Sequence, residues 1–454
     1  MMLTVTTAAE LTAALDAATG GETIELVPGN YGKLTVTKVF GSEVTIQSAD
    51  PANKAVFSEL LLNGAAWLTF RDIVFDATDP GLVAWGTPFR VKASSNISFF
   101  GSVFDGVMVP GTAGDPDGWG TGIGLQITDG SSHVLVSGCE FFNWNSGINP
   151  LQSNFVTIDG NDIHHIRADS IHIQGTSDLI ITNNHIHDPN KAVESGDHPD
   201  FIQIWNPSDG ALSSRVLIDS NFFNSGDGGW VQTIFMGGPQ GTDIAVTNNL
   251  IHNGHPHGIS TGSASQVLIE YNTLLFNEYG SVWGGPTINA GADCIVRNNV
   301  ALGSDLPAGN LVISYTAGEP NYVGDLYVNP LAGKDATLAD LQAIAGGIIE
   351  TDELGSSLTR GGGAVEPPVE EPPVEEPPAE EEPTNPDLAV MQAEIDALKV
   401  AVADLAARVE AAENATGTLA DRVTAVEQPL TALDARVGEL ETDMQALKAA
   451  WAAT

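Results

Sequence analysis

Six asparagines recur at one point of a repeated phrase, and nothing else in the chain constrains its fold so tightly. Asn161 (VTIDGNDI), Asn184 (LIITNNHI), Asn221 (VLIDSNFF), Asn249 (IAVTNNLI), Asn272 (VLIEYNTL) and Asn299 (CIVRNNVA) each follow apolar residues three and five positions earlier. The frame extends backwards with other residues in the asparagine slot, at Cys139, Ser102 and Ile73. Successive steps are 29, 37, 22, 23, 37, 28, 23 and 27 residues, so a unit of 22 to 23 residues is stacked and sometimes lengthened. Apolar alternation with period two argues strands rather than helices, and self-similarity at a fixed period argues a solenoid.

Short strands in coils of this length, with a polar residue at one turn, predict an all-β fold: a right-handed parallel β-helix. Equivalent residues of neighbouring coils then lie about 4.8 Å apart, so each buried amide can donate to one neighbour and accept from the other. Without such partners a buried amide costs about 1 to 3 kcal/mol. The repeated asparagine is therefore structural and says nothing about activity. His164, His187 and His252 recur three residues after it, a period that suggests a repeated turn role rather than metal binding.

Composition narrows the partners. A chain of 454 residues with 17 basic side chains and a formal charge of −41 argues against nucleic acid and anionic membrane surfaces. It also disfavours a strongly anionic substrate unless calcium mediates the contact. Cys139 and Cys294 fall in coils roughly 29 Å apart by the strand spacing, too far for a disulfide. The start, MMLTVTTAAELTAALDAATGG, lacks a basic n-region and a long apolar core, so neither a secretory signal nor a membrane span is expected. A role outside the cell would then imply release by lysis or within an assembled particle.

The organisation predicted along the chain has five parts. Residues 1–30 hold a capping helix, read over 7–19, and a first strand; 31–335 form the β-helix; 336–362 close it, with TLADLQAIAGG (337–347) as a helical plug. Residues 363–386 repeat Pro-Pro-Val/Ala-Glu-Glu, which has no core to bury and reads as an extended linker. From Leu388 to Trp451 apolar residues alternate in steps of three and four over nine heptads, predicting an oligomerising α-helical coiled coil at 387–454. Pro429 and the Thr416-Gly417 pair are its weak points.

The strand about ten residues beyond the asparagine suggests a site. With Leu125, Ile148, Ile171, Ile202, Val231, Ile259 and Val282 taken as inward, the next residues face outward. That column reads Gln126, Asn149, His172, Gln203, Gln232, Ser260 and Trp283, flanked by Phe201, Trp205 and Trp230. Amides and hydroxyls beside rings suit a polysaccharide groove, since rings cover the apolar faces of sugars and amides pair with hydroxyls. An ordinary solvated sheet face presents similar residues. Two long insertions precede this strand, 109–120 and 189–199. In the first, Asp115, Asp117 and Trp119 are candidates to wall the groove or, for the two aspartates, to ligate Ca2+, although Asp-Pro-Asp-Gly is also a turn sequence. Asp169 and Asp200 occupy equivalent positions at the start of this strand in neighbouring coils; stacked carboxylates would raise the pKa of one and supply an acid and base. Strict parity would turn them inward, which points to a corner. His257 lies next but one in the same column, with His172 and His198 nearby. The catalytic candidates are Asp169, Asp200, His172 and His257; aspartate at a turn is also a common backbone cap.

These residues carry a family resemblance. The segment ELTAALDAATGGETIELVPGNY resembles the opening of many β-helix polysaccharide lyases, and residues 1–350 resemble the pectin-lyase-like superfamily. The phrase His257-Gly258-Ile259-Ser260-Thr261-Gly262-Ser263 resembles the histidine motif of polygalacturonases, which implies that Asp169 and Asp200 stand for that family's acidic residues. The Asn-Thr-Asp, Asp-Asp and Arg-Ile-Lys elements of that family are missing, and Arg167 and Lys191 are the cations placed near the site. A β-helix followed by an acidic spacer and a coiled coil resembles a phage tailspike, which implies a homotrimer, attachment to a virion or extracellular particle, and binding of cell-surface polysaccharide. The favoured expectation is such a spike or fibre; the others are a glycoside hydrolase or polysaccharide lyase, which is compatible with it, and a structural stalk without a ligand.

Overall fold

The computed structural model describes residues 2–77, 81–110, 118–191, 197–206, 210–228, 231–237, 241–279, 284–303 and 306–360. The linker and the heptad tract lie outside the described residues. Contacts divide the chain into two units, Met1–Pro367 and Pro368–Thr454.

Apart from the antiparallel pair Val107–Val109 and Trp119–Thr121, the strands of the first unit pair in parallel, coil upon coil, into three long faces. The first sheet begins with Met2–Val5 and Thr23–Leu26 and ends with Cys294–Arg297, its twelve strands in strict chain order. The second face includes Glu140–Phe142, Asp162–His164, His185–His187, Phe222–Asn224 and Leu250–Asn253. The third includes Ile123–Thr128, Ser146–Pro150, Ile171–Ile173, Asp200–Trp205, Gln232–Gly237 and His257–Ser260. The second and third faces meet near the start, where Ala55–Asn63 pairs with both Ile73–Asp76 and Phe89–Lys92. This is the parallel β-helix that the repeat predicts.

The turn between the first and second faces explains the asparagines. The residue before each slot takes a left-handed conformation, with φ of 60° at Gly138, 63° at Gly160, 55° at Asn183, 57° at Ser220 and 56° at Asn248. That bend sends the following side chain inward, parallel to the helix axis. Asn184 donates from Nδ2 to Asn221 Oδ1 (2.9 Å) and to the carbonyl of Ile158 (2.9 Å), and its Oδ1 accepts from the backbone N and Nδ2 of Asn161. Every polar site of the amide is thereby used. The stack passes through Asn221, Asn249, Asn272 and Asn299 and continues to Asn310. A hydroxyl series runs beside it. Ser94, Ser131, Ser153, Thr176 and Ser213, each eight residues before a slot, are buried, and Ser94 Oγ, Thr176 Oγ1 and Ser213 Oγ accept from the preceding coil's backbone.

Inside the coils the core is a stack of side chains, with Phe75, Phe104 and Phe141 face to face at 4.6 and 4.3 Å. The helix Ala8–Ala17 starts at Thr7, whose hydroxyl accepts from Glu10 N, and buries Leu11, Ala14 and Leu15 in the same core. The C-terminal stretch corrects an expectation. Residues 337–347 form turns rather than a helix: Asp340 accepts from Thr337 N and Oγ1, and Ala343 bridges Tyr327. Burial favours this path, because Tyr327, Leu341 and Ile349 pack over the outward Leu250 and Leu275 of the second face. Among the described residues no helix is long and apolar enough to cross a membrane.

Candidate functional site

The third face carries a polar device repeated over three coils. At the start of each strand a buried residue bonds the outward side chain three positions later: Ser146 Oγ donates to Asn149 Oδ1 (2.7 Å), His172 Nδ1 to Asp169 Oδ2 (2.8 Å), and Gln203 Nε2 to Asp200 Oδ2 (2.5 Å). The strict alternation that would turn these starting residues inward fails here. Phe201 and Ile202 are both fully buried, and Phe201 meets the core ring of Phe223 at 5.9 Å. That corrects the expectation of an outward Phe201, and it explains why Asp200 can reach Gln203. The corner anticipated for the aspartates is this break.

Asp169, Asp200, Gln232 and His257 follow one another along the helix axis. Gln232 therefore stands in the aspartates' column and not in that of Gln203, because Ile234, rather than Val231, aligns with Ile202. The outward column reads Gln126, Asn149, His172, Gln203, Phe235, Ser260 and Asn289. A repeated His-Pro pair marks the shared strand start, His198-Pro199 before Asp200 and His255-Pro256 before His257; aligning on it would have put Phe235 in the column.

Hydrogen bonds join these residues into a chain. Gln232 Nε2 donates to Asp200 Oδ1 (2.7 Å) and lies 2.9 Å from His198 Nδ1, and its Oε1 accepts from His257 Nδ1. Asp200 is fully buried, while the His198 side chain beside it, 3.9 Å from Nδ1 to Oδ2, is 58% exposed. Burial, with the charge of Asp169 adding to it, pushes the Asp200 carboxyl up to about 6. The Asp200 carboxylate beside it holds His198 above the ordinary imidazole range. Burial lowers His257, with the charge of His198 adding to the effect.

Two aspartate–histidine pairs in adjacent coils thus present different faces. In the first, the Nδ1–H of His172 is given to Asp169, which leaves Nε2 as a lone-pair acceptor. In the second, the Asp200 carboxylate beside His198 favours the protonated form of the imidazole. Asp169 Oδ1 is buried and bonds no protein group, and such an atom calls for a partner. Together these groups can take a proton at one point and give one at another.

Further along the same face the geometry suits a sugar chain. Trp205 is 44% exposed and pairs across the coil with Gly237, where a Cβ would lie 2.5 Å from the indole ring. Phe235, His257, Ser260 and Asn289 border an open depression of about 550 Å³. His257 stacks on Phe235 at 6.0 Å. The cation Arg167 is engaged, with Nε 2.6 Å from Asp197 Oδ2 and its guanidinium 5.5 Å from the Trp119 ring. Gln126 and Asn149 continue the column towards the N-terminus, Asn149 almost fully buried. The expected binding residues Trp230 and Trp283 and the expected calcium ligands Asp115 and Asp117 lie outside the described residues.

Residues 121–305 match a family model described as a right handed beta helix region. Similar solved structures include an alginate lyase from Paenibacillus sp. str. FPU-7, at 16% identity over 64% of this chain and 99% of that one, with a TM-score of 0.45. A pectate lyase aligns at 15% identity over 74% of this chain and 84% of that one, with a TM-score of 0.40. A surface adhesin of Streptococcus pneumoniae aligns at 13% identity over 59% and 81%, with a TM-score of 0.39. No curated protein sequence matches the chain.

Proposed function

We propose that this protein binds a cell-surface polysaccharide along its third face and cleaves it by acid–base chemistry at the paired aspartate–histidine sites. The observation that carries the reading is the pair of dyads in adjacent coils, Asp169 with His172 and Asp200 with His198, beside an aromatic and amide-lined face. His172 Nε2 is the base, set in its tautomer by Asp169, and His198 is the acid that protonates the leaving oxygen. Asp200 is buried too deeply to touch a substrate and acts through His198 and Gln203. Trp205, Phe235, Gln203, Ser260 and Asn289 hold the chain.

At the scale of the whole chain the finer reading is a spike or fibre of a virion or similar extracellular particle, trimeric through 387–454. The β-helix, the Pro/Glu linker and the nine heptads in one sequence support it. A binding spike that does not cut remains the second reading, favoured by the depression at Phe235 and His257, which lies two coils beyond His172.

Incubation of the purified protein with capsule and lipopolysaccharide fractions, with and without calcium, tests both by following retention and chain length. Shortened chains support cleavage, and their ends separate hydrolysis from elimination. Retention without shortening supports the non-cutting spike and leaves both dyads structural.

A further inference from the structure

The second face carries a separate cluster built by strand register. Asp162 pairs with His185, and His164 with His187, so these four side chains occupy one outward patch of two adjacent strands. The rings of Phe142 and Phe222 bracket it, stacked on His164 at 5.3 Å and on His185 at 5.0 Å. These histidines lie on strands, not in turns, so the periodic turn role expected from their spacing is corrected. Their period is that of the coil itself.

Within the patch, one atom each of Asp162, His185 and His187 lies within 4.8 Å of the others. His187 Nε2 stands 2.8 Å from Asp162 Oδ1, and His185 Nδ1 3.6 Å from the same oxygen. Four-coordinate zinc has bonds of about 2.0 to 2.2 Å, which sets ligand atoms about 3.3 to 3.6 Å apart, so only small side-chain movements separate this set from a coordination shell. The ring of His187 is already oriented: its Nδ1 donates to Asp188 Oδ2 at 2.6 Å. A carboxylate on the far nitrogen is the usual support of a metal-bound imidazole. His185 Nε2 is buried without a hydrogen-bond partner, so Nδ1 is the nitrogen turned to the cluster. His164 is occupied otherwise, by Glu140 at 3.2 Å and His165 at 2.6 Å.

We propose that Asp162, His185 and His187 bind one divalent transition-metal ion, zinc foremost, tying two neighbouring coils together on the face next to the polysaccharide groove. Two imidazoles and one carboxylate select zinc, cobalt or nickel over calcium, which takes six to eight oxygens. Three protein ligands leave an open position for water.

The full chain, without a histidine tag and stripped with a chelator, is dialysed to equilibrium against zinc and separately against calcium. The expected result is one zinc per chain, no calcium at this site, and a cobalt(II) visible absorption band that zinc abolishes. His185→Gln, His187→Gln and Asp162→Asn should each weaken zinc binding at least tenfold, and Asp188→Asn about tenfold. His172→Gln and His257→Gln should leave it unchanged. Absence of both stoichiometric zinc and the cobalt band in the unaltered protein overturns the site, whatever the variants do. So does zinc binding that survives in the folded His187→Gln and Asp162→Asn proteins, or that disappears with His172→Gln.

Discussion

At the residue scale the proposed chemistry rests on Asp200, which is fully buried beside His198 and accepts from Gln203. Its carboxyl, with an ordinary value of 3.8, is pushed up to about 6 chiefly by burial. Stability from this group is therefore full below the unfolded value and is lost as pH rises through about 6. Asp200→Asn should remove that dependence and relieve a cost on the order of 3 kcal/mol at neutral pH, read as a flatter profile of unfolding midpoint against pH. The same change withdraws the carboxylate that raises His198. The alkaline limb of chain shortening should then move to lower pH; an unmoved limb would remove His198 from the acid's role. At the other end of the groove, Trp205→Ala should weaken glycan retention by about 1 to 3 kcal/mol. Gly237→Ala should weaken it too, because the added Cβ would displace the indole ring. Titration calorimetry with the retained glycan checks both, and unchanged affinity in both variants would sink the assignment of this face.

At the element scale, the coil is specified by what it buries at its turns. Asn221 Oδ1 accepts from the backbone N and Nδ2 of Asn184, and its own Nδ2 reaches Asn249 and Ile181. Asn221→Ala should cost about 2 to 6 kcal/mol, since two buried groups of Asn184 lose their acceptor at about 1 to 3 kcal/mol each. Denaturant unfolding of the β-helix measures it, and a loss below 1 kcal/mol would contradict the stack as its register device. The amide repeat is legible because its frame of apolar residues three and five positions earlier never breaks and its residue type is unusual in a core. The hydroxyl series was less so, for Ala65, Gly241 and Ala264 occupy the same place in other coils. Asp169, Asp200 and His257 fell into one column by spacing alone. Phe235 and Gln232 did not, because a three-residue shift in the alignment preserves an apolar residue at the inward position. The inward Phe201 was illegible for a related reason: a β-strand that breaks its alternation at a corner leaves no local mark in a one-dimensional pattern.

At the scale of the whole molecule, the acidic linker and the heptads bear on how the groove is used. A polymeric glycan offers repeated sites, so joining three chains should raise retention without changing a single groove. Deleting residues 387–454 should yield a monomer by light scattering, with retention on polymeric glycan lower by roughly 10² to 10⁴ and affinity for a short oligosaccharide unchanged. A truncated protein that remains trimeric would contradict the oligomerising role of the heptads. Cleavage at the Asp169–His172 pair is read from chain length. A glycan retained by the protein is incubated with the unaltered chain, with His172→Ala and with Asp169→Asn, at matched retention. The expected result is steady shortening by the first, a loss of at least about 100-fold for His172→Ala, and a smaller loss for Asp169→Asn. Equal shortening by all three, or no shortening of any retained glycan, would contradict it.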